Sequence, residues 1–142
     1  MMLRLRQAER LGLDYDAYTS ALLDRGARLC GLIVMLSDRF SIQDEDKLVI
    51  KLAALKDCAV ALSGRGAHER LAKRIHSAGG HVDQVLPSHD RASFTAALRR
   101  LAASVHTSPG AFFMVGTSAA ERDIAETSGV GLFVDAVDYF GL

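Results

Sequence analysis

The sequence predicts an α/β fold, a three-layer, Rossmann-like domain with a five-stranded parallel sheet and an N-terminal helical arm. Three observations carry that expectation. Unbroken apolar runs of strand length recur, foremost residues 29–36 (LCGLIVML) and 111–115 (AFFMV), as strands buried on both faces require. Segments with apolar residues at helical spacing lie between them. Residues 112–133 then read as strand, loop, helix, glycine turn and strand, a βαβ unit whose crossover is expected to be right-handed.

Taken in order, residues 1–28 form the arm, and residues 29–142 the α/β domain. Leu3, Leu5, Ala8 and Leu11 stripe a first helix that breaks near Gly12. A second helix, residues 17–25, is capped by Asp14 or Asp16 and ended by Gly26. Residues 29–36 are the first strand. Asp44, Glu45 and Asp46 place acid in the first turn of the next helix, where the macrodipole favours it, with Leu48, Ile50, Leu52 and Leu55 facing the core. Residues 58–62 are a second strand ending in a loop at Ser63, Gly64, Arg65 and Gly66, and residues 67–78 a helix closed by Gly79 and Gly80. The more polar run 82–86 suits a sheet edge. A long helix over 92–105 follows, with Phe94, Leu98, Leu101 and Val105 inward. After strand 111–115, Ser118 and Glu121 have the spacing of a capping box, and Gly129 sits where a left-handed stop belongs. The strand at 131–134 precedes a short tail with Tyr139 and Phe140.

Composition excludes several classes of function. At 142 residues the chain fits one domain, and 49% hydrophobic with 24% charged residues is the balance of a globular protein. Seventeen basic and seventeen acidic residues cancel, so no global field favours nucleic acid or an anionic membrane. No apolar run approaches the ~20 residues of a membrane span or the pattern of a signal peptide, and the expected location is cytoplasmic. Cys30 and Cys58 sit in apolar runs and are expected to be buried and reduced. The apolar faces of the arm and the tail exceed the needs of one small sheet, which leads us to expect a homo-oligomer.

In a parallel sheet, ligands bind at the loops after the strand ends. Those loops hold Asp38, then Ser63 with Gly64 and Arg65, then Thr117 with Ser118, while Asp90 and Arg91 enter a helix on the same side. A carboxylate, hydroxyls, glycines and a guanidinium are the groups of a phosphate site. The same residue types also serve N-caps and turns, and taken singly each position favours that reading. The Gly64–Gly66 pair lacks the third glycine of a dinucleotide fingerprint, since Glu69 stands there. No Walker loop, zinc-ligand spacing or nucleophile elbow occurs among the five histidines, two cysteines and the serines.

Order and spacing from about residue 32 to residue 136 resemble the haloacid dehalogenase-like phosphohydrolases, in particular the small cap-less 3-deoxy-octulosonate 8-phosphate phosphatases. In that resemblance Leu36 stands where the nucleophilic aspartate belongs, and Asp38 matches the acid/base aspartate. Ser63 matches the phosphoryl-binding hydroxyl, and Arg91 takes the place of the motif lysine. Thr117 replaces the first magnesium acid, with Glu121 or Asp123 as the second. Leucine cannot form an aspartyl-phosphate, so the resemblance implies a degenerate site without the family's phosphatase activity. It implies a module that binds a small phosphorylated ligand, regulates or assembles. An active magnesium-dependent phosphomonoesterase, or a Rossmann-like nucleotide or sugar-phosphate binder, are the alternatives. The residues expected to act are Asp38 in catalysis, Ser63, Gly64, Arg91, Thr117 and Ser118 on phosphate, and Asp38, Glu121 and Asp123 on magnesium.

Overall fold

Apolar runs become central strands here because helices cover both of their faces. The computed structural model describes residues 11–13, 29–65 and 68–142. Its strands are β1 (Gly31–Leu36), β2 (Ala59–Gly64), β3 (Gln84–Val85), β4 (Phe112–Gly116) and β5 (Leu132–Asp135). Its helices are α1 (Ile42–Ala53), α2 (His68–Ser77), α3 (Arg91–Ser104), α4 (Ala119–Ser128) and α5 (Ala136–Phe140). The sheet order is β3-β2-β1-β4-β5, all pairs parallel, with Gly31 opposite Ala59 on one side and Phe112 on the other. This is the expected three-layer, Rossmann-like architecture. The predicted arm helices and Gly66 lie outside the described residues, apart from Leu11, Gly12 and Leu13.

Alternation along the strands sorts the core into two layers. Leu32, Val34 and Leu36 of β1 join Leu48, Val49 and Leu52 of α1, Leu71 and Ile75 of α2, and Tyr139 and Phe140 of α5. Ile33 and Met35 point the other way, to Phe94, Leu98 and Leu101 of α3 and Ala125 of α4. Each large apolar side chain buried in this way contributes about 1.5–3 kcal/mol. The sheet is therefore held from both sides.

Several local expectations are corrected. Leu48, Leu52 and Leu55 are buried as expected, but Ile50 is 72% exposed and Val49 is buried instead, because two residues from Leu48 at about 100° per residue put Ile50 on the opposite side of α1. Val105 lies beyond the end of α3 and is exposed. Ser63 and Gly64 close β2 rather than forming the loop after it. The tail is a helix, α5, started by the Asp135 carboxylate, which accepts from Val137 N at 2.8 Å. Tyr139 and Phe140 are buried in the chain's own core, so the tail supplies no argument for a second subunit. Cys58 is buried, as expected, whereas Cys30 is only half-buried, and the two are not joined in a disulfide. No described helix is long and apolar enough to cross a membrane.

Candidate functional site

The order of the strands reverses between β1 and β4, and the two loops that leave their carboxyl ends diverge to opposite faces, opening a crevice. A cleft of about 440 Å³ lies there. Its walls come from Ser37, Asp38 and Arg39 after β1, Gly64 at the end of β2 and Arg65 after it, Ser88 before α3, and Thr117, Ser118 and Glu121 after β4. The loops brought together are those the sequence pointed to.

Gly64 is required for that convergence. Its φ is +81°, and an added Cβ would lie 2.6 Å from Leu36 O, so the β2 loop can cross the end of β1 only on a residue without a side chain. Arg65 N then donates to Leu36 O at 2.9 Å, and Ser88 Oγ donates to Gly64 O at 3.3 Å. Three loops are thereby tied into one rim. On the β1 side, Arg39 N donates to Ser37 Oγ at 3.1 Å, which fixes the turn that presents Asp38 to solvent.

The predicted residues divide sharply. Asp38, Gly64, Thr117, Ser118 and Glu121 line the cleft. Ser63 does not: it is fully buried and its hydroxyl donates to Leu86 O at 2.9 Å, a bond that consumes the donor a phosphoryl oxygen would need. Arg91 and Asp123 pair with each other between α3 and α4 and form no part of the cleft wall. Leu36 contributes to the floor but is 2% exposed, because its side chain continues the α1-side row of Leu32 and Val34. Among the described residues no cluster of three or more His, Cys, Asp or Glu side chains could hold a metal ion, so Asp38, Glu121 and Asp123 are not gathered.

Helix α4 shows how a carboxylate can serve its own chain. Glu121 Oε1 accepts from Thr117 N at 2.8 Å and Ser118 N at 3.1 Å, while Glu121 N donates to Ser118 Oγ at 3.1 Å. The helix start is thus neutralised by an internal anion. Asp90 does the same for α3, and its carboxyl is held below the usual range first by the backbone N–H of Ser93 and then by the Ser93 hydroxyl.

Two further residues complete the cleft: Arg65, which the sequence placed in the loop after the second strand, and Arg39, which it did not single out. Arg39 and Arg65 are exposed, line the cleft from adjacent loops, and enter no ion pair among the described residues. For Arg39, its position just after the end of β1 was the available signal. Guanidinium pairs of this kind suit a phosphate or carboxylate, which they bind through forked donors. No protein-family model, no curated protein and no solved structure matches the chain.

Proposed function

We propose that the chain is a haloacid dehalogenase-like domain that has kept its ligand cleft and lost the covalent phosphatase step, and that it binds a small phosphorylated molecule at the β1–β4 crevice. The observation that carries this reading is the cleft itself: Arg39 and Arg65, without ion-pair partners among the described residues, stand over Ser37, Ser88, Thr117 and Ser118 at the topological switch point. Support for the loss of chemistry comes from Leu36, whose side chain is packed in the core where a nucleophile would have to face the ligand. Asp38 remains as a lone carboxylate on the β1 loop. Without a nucleophile it serves to orient a ligand hydroxyl.

The test is thermal unfolding against a panel of sugar phosphates and nucleotides, with Arg39→Ala/Arg65→Ala beside the wild type. A ligand present at 100 times its Kd adds about 2.7 kcal/mol, which for a domain of this size raises Tm by roughly 5–10 °C. The double variant is expected to lose that rise. No shift with any phosphorylated compound, or an equal shift in the double variant, removes the proposal. A second reading, a magnesium-dependent phosphomonoesterase, is favoured by the presence of both Asp38 and Glu121 on the cleft wall. It requires phosphate release that depends on magnesium and disappears in Asp38→Asn.

A further inference from the structure

A site built only for an anion would be lined by positive charge, and the β1–β4 cleft is not. Two carboxylates, Asp38 and Glu121, share its wall with the two guanidiniums of Arg39 and Arg65, so these side-chain charges sum to zero. None of the four enters an ion pair with another or with any other described residue. Opposite charges thus line one cleft of about 440 Å³ without neutralising each other.

The strand order sets these groups out in a row. Arg65 follows β2 at one end, Asp38 and Arg39 follow β1 in the middle, and Glu121 stands in the first turn of α4, after β4, at the other end. Neighbouring strands are about 4.8 Å apart, so the cleft passes from cationic to anionic over roughly 10 Å. Both carboxylates keep room for a donor. Asp38 is exposed and its side chain bonds no described group. Glu121 takes Thr117 N, Ser118 N and the Thr117 hydroxyl all on Oε1, which leaves Oε2 without a donor among the described residues. The charges just outside the wall are already engaged, Arg91 with Asp123 and Asp90 with Ser93 and His89.

Taking the cleft as the phosphate site proposed above, we infer that its ligand is a phosphomonoester that also carries a primary amine, with the phosphate on Arg39 and Arg65 and the ammonium on Asp38 and Glu121. A phosphomonoester brings about 1.5–2 negative charges at neutral pH. Bound alone in a cleft whose own charges cancel, it faces two carboxylates within about 10 Å, and that repulsion weakens binding. An ammonium on the same ligand removes the repulsion at its source. It takes the place of the hydroxyl that Asp38 would otherwise orient, and adds Coulombic attraction to the hydrogen bond. The four charges then select for a ligand with two poles.

Titration calorimetry at neutral pH with two matched pairs tests this: glucosamine 6-phosphate against glucose 6-phosphate, and 2-aminoethyl phosphate against 2-hydroxyethyl phosphate. Within each pair only an ammonium replaces a hydroxyl. The wild type is expected to bind the amine of at least one pair about fivefold more tightly. Asp38→Asn/Glu121→Gln keeps the shape and the acceptor oxygens but removes both charges, and the preference is expected to vanish. Arg39→Ala/Arg65→Ala is expected to bind none of the four compounds. Equal affinity within both pairs in the wild type, or a preference that survives in Asp38→Asn/Glu121→Gln, overturns the inference and leaves the phosphate reading standing. Failure of the wild type to bind any of the four removes both.

Discussion

At the residue scale, the direction of one side chain decides what the β1 loop can do. Leu36 ends a row in which every second residue packs toward α1, so any residue placed there is driven into the apolar layer with Leu48 and Leu52. Restoring the acid of the resembled family is therefore not expected to restore its chemistry. Leu36→Asp buries a carboxylate without a partner, and the expected cost is about 3–5 kcal/mol. Urea denaturation should show the loss, and phosphate release should stay at background with magnesium. Magnesium-dependent turnover in this variant would show that the loop can turn the side chain outward. The same logic explains which site residues were legible in the sequence. Asp38, Gly64, Thr117 and Ser118 could be placed because a strand end fixes where a loop begins. Ser63 could not, since one step of alternation separates a loop hydroxyl from a buried one that donates to Leu86 O. Arg91 could not either, because only the packing of α3 beside α4 reveals Asp123 as its partner.

At the element scale, α4 was the most readable part of the chain because its start and stop are both chemical. Ser118 and Glu121 form the predicted capping box, and Gly129 takes the left-handed conformation with φ 84°. Helix α5 was not readable, because five residues are too short to show a period, and its cap is a strand-ending aspartate. The boundaries of β2 and β3 moved for a related reason: pairing with a neighbour, not composition, ends a strand, and β3 keeps only the two residues that reach Ala61 and Leu62. The α4 cap is also where stability and site meet. Glu121→Ala leaves the N–H groups of Thr117 and Ser118 without their internal acceptor, at an expected cost of about 1 kcal/mol. Glu121→Gln keeps an acceptor and should recover part of it. Equal urea midpoints for wild type and Glu121→Ala would mean that water replaces the carboxylate at no cost.

At the scale of the whole molecule, the fold closes where residues 11–13, α1 and α5 meet, and that junction carries groups whose protonation is tied to folding. Burial pushes the Tyr139 phenol well above its ordinary value of 10.0, with the neighbouring Cys58 thiol adding to the rise. The unfolded chain then loses this proton first as pH climbs past 10. The stability that the neutral phenol contributes is complete below that point and is lost as pH rises toward the folded value. The Cys30 thiol, raised from 9.0 chiefly by burial and partly offset by the Thr107 hydroxyl, acts with the same sign and begins about one unit earlier. Lys51 acts in the opposite sense. Burial lowers its amine from 10.5, so between the lowered value and 10.5 the unfolded state holds more protons, and stability gains with pH. Below about pH 10 the Lys51 and Cys30 contributions oppose one another, and beyond it the loss from Tyr139 is expected to lower the urea midpoint of the wild type. Tyr139→Phe should start lower at neutral pH, having lost its bond to Leu11 O, yet decline less steeply above 10, because the phenol no longer titrates. Urea midpoints measured for both proteins on each side of pH 10 check this. Parallel declines would mean that the phenol keeps a water-like proton and that the junction is open in solution.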